Sequence, residues 1–164
     1  MSGPDPLRRR RLQFELRELA LVGAGAIPGA LLRWQAGVRL GPVLGGGVDG
    51  TAAAHLLVNL AGSLLLGVLA GPIPWRTPLL LLLGIGFCGS LTTFSSWMLD
   101  LVELQRRGDG SAALAQAALS LVLGLAAAAL GYGLSYWLFP RLRRWHGRRR
   151  GASLRPPALP RSRT

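Results

Sequence analysis

The chain of 164 residues has no lysine, a single cysteine and two histidines, and these scarcities close off several kinds of chemistry. One cysteine, Cys88, cannot form an internal disulfide. His55 and His146 have no partners at metal-ligand spacing. No glycine-rich loop ends in a phosphate-binding lysine, and no Ser/His/Asp set is expected at intramembrane depth. The residues give an enzyme little to work with, and the chain reads as a non-enzyme. Charge is also missing from long tracts. Four apolar blocks, approximately 19–38, 53–71, 78–101 and 112–139, carry almost none.

What is present is hydrophobic: 50% of residues, with a mean hydropathy of +0.37. Each block approaches or exceeds the roughly 20 residues that cross about 30 Å of hydrocarbon at 1.5 Å per residue. A soluble bundle would put a polar face on each helix, and "AAAHLLVNLAGSLLLGVLAG" and "SAALAQAALSLVLGLAAAALGYGLSYWLF" have none. The expected fold is an all-α membrane protein with four transmembrane helices in one domain, 19–139. A basic cytoplasmic lead-in, 1–18, precedes it, and a basic tail, 140–164, expected to be disordered beyond about Trp145, follows. Residues 7–18 are expected to be an amphipathic lead-in rather than a secretion signal, because Glu15 and Glu18 interrupt the start and no A-x-A-like cleavage site follows.

The net charge of +12 is carried by 19 arginines whose placement argues for topology rather than nucleic acid. If the helices alternate, fifteen fall on one side: Arg8 to Arg11, Arg17, Arg76 and the nine from Arg141 onward. Four fall on the other: Arg33, Arg39, Arg106 and Arg107. The positive-inside rule then places both termini in the cytoplasm of a multi-pass cell-membrane protein. The tail arginines are also available to anionic headgroups.

Small residues recur at helix-packing intervals: Gly25 and Gly29; Ser63, Gly67 and Gly71; Ser120, Gly124 and Ala128, followed by Tyr132. Such stripes let backbones approach closely in lipid, where hydrophobic burial cannot drive association. Ser120 can pack and present a hydroxyl at once. Asn59 sits inside the second block, and a buried amide there needs a partner on another helix, a water or a solute. Arg33, near the end of the first block, is either a snorkelling interfacial cation or an anion-attracting vestibule charge.

The stretch "GIGFCGSLTTFSSW" (84–97) interrupts the third block. Gly84, Gly86 and Gly89 weaken a helix, and Thr92 and Thr93 follow. A break between Gly89 and Thr92 near the middle of this helix frees carbonyls. That is tolerated at membrane depth only when they are buried or line a watery cavity, and they suit a small hard cation. Beyond the break, Thr93 and Ser96 share one side at i,i+3 spacing, with Phe94 and Trp97 on another. Hydroxyl donors beside electropositive ring edges can host a small anion without any full cation.

At this point "GFCGSLTTFS" (86–95) resembles the signature of the Fluc (CrcB-type) fluoride channels, small four-helix bacterial membrane proteins, with support from "GALLRW", "VNLAGSLLLG" and "SLVLG" over roughly 20–135. The resemblance implies an antiparallel dual-topology dimer with two pores, passing fluoride passively out of the cytoplasm. It implies that carbonyls of Gly89 and Thr92 from both subunits hold a structural Na⁺. Asn59 matches a pore-lining asparagine and Phe94 the first pore phenylalanine, with Thr93, Ser95, Ser96 and Ser120 as candidates for a polar track. Trp34 stands where the family usually has Tyr. Trp97 takes the second pore-phenylalanine position, so that pore is expected to be altered or inactive. Asp100 replaces a common Glu, and His55 a common Thr.

An antiparallel homodimer needs one sequence to insert both ways, which favours a small charge bias. Fifteen arginines against four therefore suggests one fixed orientation and a related subunit of opposite topology as partner. The alternative function is a small four-helix proton-coupled exporter of small molecules, which needs an intramembrane carboxylate. Asp100 and Glu103 lie near the end of the third block instead. A non-transporting scaffold leaves the polar residues unexplained.

Overall fold

A computed structural model describes the backbone of residues 6–72 and 76–152, and their side chains except at 6, 48, 76 and 140–152. Every regular element in it is helical. In chain order these are α1 (Pro6–Val43), α2 (Gly47–Ala70), α3 (Arg76–Leu79), a π-helical stretch (Leu80–Cys88), α4 (Gly89–Leu91), α5 (Phe94–Arg106) and α6 (Gly110–Ala152).

Among the described residues, three segments are long and apolar enough to cross a bilayer: Asp49–Ala70, Thr77–Arg106 and Gly110–Phe139. The first apolar block, 19–38, lies within α1 and stands outside those three. The chain is inside-out by the standard of a soluble protein. Leu114, Leu121, Leu125 and Leu130 of α6 are exposed, as are Leu64 and Leu66 of α2 and Ile27 and Leu31 of α1. An apolar surface this continuous is stable against acyl chains or another apolar face, not against water. The buried core is small and centres on Ala36, Val58 and Leu91, with Phe87 packed against it.

Glycines set the helix contacts. A Cβ at Gly25 would strike the Leu82 carbonyl oxygen, and one at Gly29 would strike Phe87's carbonyl and Ser90's hydroxyl, so α1 lies directly on the π-helical stretch. A Cβ at Gly67 would strike Ala128's carbonyl, one at Gly131 would strike Leu64's, and one at Gly71 would strike Ser135's hydroxyl. Here α2 and α6 run backbone to backbone, as small stripes allow. The stripe on α6 turns at its end. Tyr132, expected to continue it, is 48% exposed, and the contact passes to Gly131 and the fully buried Ser135.

The glycine-rich part of the third block stays helical, contrary to the expected break between Gly89 and Thr92. Its winding widens to π over nine residues, and Gly89's N–H reaches the carbonyls of both Gly84 and Gly86. The interruption comes just after it. Thr92 (φ −74°, ψ 151°) and Thr93 (φ −142°, ψ 122°) are extended, and helix resumes at Phe94. Hydroxyls satisfy the carbonyls of this irregular stretch. Ser90 Oγ donates to Gly86 and Phe87 (2.7 and 3.1 Å) and Thr92 Oγ1 to Cys88 (2.9 Å).

At the carboxyl end the backbone continues α6 as helix to Ala152. The irregular chain expected from about Trp145 therefore gives way to helix that far, in keeping with arginine's good helix propensity. The remainder of the tail, 153–164, lies outside the described residues, as do residues 1–5 of the lead-in.

Candidate functional site: a clamped helix break beside a polar pocket

The break is held by one side chain. Asn59, in the middle of α2, accepts from the Thr93 backbone N–H at its Oδ1 (2.8 Å) and donates from Nδ2 to the Thr93 carbonyl (3.1 Å). The partner required of a buried amide is therefore the broken backbone itself. Room for the approach comes from Gly62, where a Cβ would strike the Thr92 methyl.

This clamp has a consequence for the carbonyls. In an unbroken helix the N–H of Thr93 would bond to Gly89, and that of Ser96 to Thr92. The first is taken by Asn59 and the second by Thr93 Oγ1 (3.1 Å). Gly89 and Thr92 thus lose their i+4 donors. Gly89 is exposed, with nothing closer to its vacant Cβ position than the Gly84 carbonyl at 3.9 Å. Carbonyl oxygens without helical donors have the chemistry that small hard cations take, and Gly89 carries one on an exposed residue. Among the described residues no group of three His, Cys, Asp or Glu offers a competing metal site.

Beyond the break, Thr93 Oγ1 donates to Ser96 Oγ (3.0 Å) and lies 3.4 Å from Ser95 Oγ, so the hydroxyl stripe is connected. Ser95 and Ser96 line a cavity of about 290 Å³ together with Arg33, Trp34, Gly37 and His55. Arg33 enters this cavity with no carboxylate paired to it among the described residues. Phe94 is 73% exposed, and its ring centroid lies 5.5 Å from that of Trp97, tilted by 48°. Trp97 Nε1 is buried without a hydrogen-bond partner among the described residues. Ser120 stands apart from the clamp. It is on α6, and its hydroxyl donates to Gln116's carbonyl (2.7 Å).

The sequence missed one pairing. His55 Nδ1 lies 2.9 Å from Asp100 Oδ2, with the two side chains 19% and 8% exposed. Asp100 is therefore buried and paired inside α5, not a charge at the helix margin. Forty-five residues separate the partners, and the only available signal was an acidic residue within an apolar tract.

A multi-pass, all-helical membrane protein results, with one span broken near its middle, clamped by an amide from its neighbour and opening beside a cationic pocket. The model of the CrcB-like protein, Camphor Resistance (CrcB) family matches residues 20–132, and the chain belongs to that family. It is 53% identical over 135 residues (82% of this chain, 93% of the other) to the fluoride-specific ion channel FluC 2 of Synechococcus sp. (strain CC9605). It is 50% identical over 152 residues to FluC 2 of Parasynechococcus marenigrum (strain WH8102), covering 92% of this chain and 93% of that one. The same organism has a FluC 1, 42% identical over 120 residues, covering 71% of this chain and 92% of that one.

Proposed function

We propose that the chain is a fluoride-selective channel subunit, not an enzyme, passing F⁻ passively out of the bacterial cytoplasm and so lowering its toxicity. The observation that carries this is the Asn59–Thr93 clamp, which frees the carbonyls of Gly89 and Thr92 on one side and aligns the Thr93, Ser95 and Ser96 hydroxyls on the other. In this reading Gly89 and Thr92 hold a structural Na⁺ that is not transported. Asn59, Phe94 and Trp97 line the anion path with the hydroxyls, Ser120 adds a further one, and Arg33 draws anions into the vestibule.

The assembly is an antiparallel dimer of four-span subunits, with α1 as the first span and both termini cytoplasmic. Exposed Gly89 and Phe94 in the middle of a span support it, since bare carbonyls are not stable against lipid and a second subunit would cover them. The one-sided arginines favour a related subunit over a second copy. The pairing of FluC 1 and FluC 2 names in one organism is consistent with that choice. A proton-coupled exporter would need a carboxylate open to its substrate, and Asp100 is closed off by His55.

The deciding measurement is fluoride efflux from liposomes, read with a fluoride electrode. The channel reading expects efflux from the wild-type assembly and its loss on Phe94→Ile and on Asn59→Asp. Efflux unaffected by both, or efflux that requires a proton gradient, would overturn it.

A further inference from the structure

We infer that His55 is a proton-dependent anion ligand. Held by Asp100, it binds fluoride in the Arg33 pocket through Nε2–H and couples anion occupancy to the uptake of one proton. The inference rests on the fluoride reading for its anion. Its geometry stands apart from the Asn59 clamp.

The geometry fixes which ring nitrogen is available. Asp100's carboxylate lies 2.9 Å from Nδ1, so Nδ1–H donates to it in both the neutral and the charged ring. Nε2 is then the ring nitrogen left to take a proton or a ligand. That nitrogen faces α1, as the nearest atom to the vacant side-chain position of Gly37, at 4.0 Å. Gly37 and His55 both line the cavity of about 290 Å³, as do Arg33, Ser95 and Ser96. A cavity of that size holds an anion with several waters at about 30 Å³ each.

Charge supplies the coupling. With the ring neutral, Nε2 presents a lone pair and the Asp100 charge offsets that of Arg33, so an anion meets no donor at the ring and little net attraction. With the ring protonated, Nε2 presents a donor and the pair is neutral, so an anion is accepted. The other charges around His55 do not offset this change. Arg33 faces it from α1 and stays cationic, and Arg39 is exposed further along the same helix. On α5, Glu103 pairs with Arg107 (3.4 Å), which also meets Asp49 of α2 (3.5 Å). The described side chains of α6 over 110–139 carry no charge.

The pocket also leads to the clamp. His55 and Asn59 are four residues apart on one face of α2. Ser96 lines the pocket and accepts from Thr93 Oγ1, which leaves its own proton free to donate inward.

Two measurements on the full chain test the inference. In lightly buffered detergent at about pH 6.5, sodium fluoride should cause uptake of up to about one proton per chain, with sodium gluconate as the control. His55→Gln should abolish the uptake and His146→Gln should leave it intact. Should His55→Gln fail to fold, Gly37→Leu fills the pocket from α1 and should abolish uptake with the His55–Asp100 pair in place. No uptake in the wild type, or the same uptake in the His55 and Gly37 variants, overturns the inference.

In liposomes, corrected for leak through protein-free vesicles, efflux should be on the order of tenfold faster at about pH 6 than at about pH 8, and flat in His55→Gln. A merely structural His55–Asp100 tie would lower stability without changing that profile. Efflux present but equal at both pH values sinks the inference and leaves the channel standing. Proton uptake that requires His55, in a chain without efflux at any pH, sinks the channel and leaves the site.

Discussion

Asn59 and Thr93 lie 34 residues apart and meet through both backbone groups of Thr93, N–H at 2.8 Å and C=O at 3.1 Å. One carboxamide thus does the work of two helical hydrogen bonds at a point where the helix has none. Stability and permeation should both depend on it.

Asn59→Leu leaves the Thr93 N–H and carbonyl bare. Each should cost about 1–3 kcal/mol, which lowers the thermal midpoint in detergent well below that of the wild type. A midpoint within a degree or so of wild type would mean that the clamp does not hold the break.

The backbone contact between α2 and α6 separates glycines that must be glycine from those that need not be. Gly67→Val should destabilise by about 1–3 kcal/mol or shift the helices apart, because its side chain meets Ala128's carbonyl. Gly133→Ala, with nothing within 4 Å, should fold like the wild type. Size-exclusion profiles and thermal midpoints of the two variants check this.

Trp97 carries a buried indole N–H with no partner among the described residues. Trp97→Phe removes that donor while keeping a ring beside Phe94, so the variant should be at least as stable as the wild type. Fluoride efflux should rise if the indole obstructs its pore. A clear loss of stability would reveal a partner for the N–H in the assembled protein.

Sodium should matter to assembly rather than drive transport. Exchange of Na⁺ for a large organic cation should slow efflux and weaken subunit association, both restored by Na⁺. Equal efflux and association without Na⁺ would remove Gly89 and Thr92 from the role of ligands.

Topology is testable without function. A fluorescent reporter that matures only in the cytoplasm should light up when fused to either terminus, and a periplasm-dependent phosphatase should stay silent at both. A mixed result from the same fusion would indicate dual insertion and favour a homodimer.

Much of this was legible in the sequence because membrane spans announce themselves by length and apolar content. The broken span was visible for the same reason, since two threonines and three serines have no other business in an apolar tract. Gly25, Gly29, Gly67 and Gly71 also read correctly as contact positions. The exact place of the break was not legible. Glycine lowers helix propensity, but the α1 backbone packs against Gly86, and the hydroxyls of Ser90 and Thr92 bond to the carbonyls of Gly86 and Cys88, so the chain stays wound through Gly89. Extended geometry falls instead at Thr92 and Thr93, where Asn59 competes for the backbone. His55 and Asp100 stayed hidden because a pairing across 45 residues leaves no periodic trace in one sequence.

The interruption at Thr92–Thr93 brings the carboxyl-terminal end of one helical rod, at Leu91, against the amino-terminal end of the next, at Phe94. Aligned peptide dipoles give such ends about half an elementary charge, negative at the first and positive at the second. A single two-residue gap therefore places fields of opposite sign within a few ångströms of each other, with no Asp, Glu, His, Lys or Arg between Arg76 and Asp100 to supply them. Their sign is set by chain direction alone, and acid or base in the surroundings cannot change it.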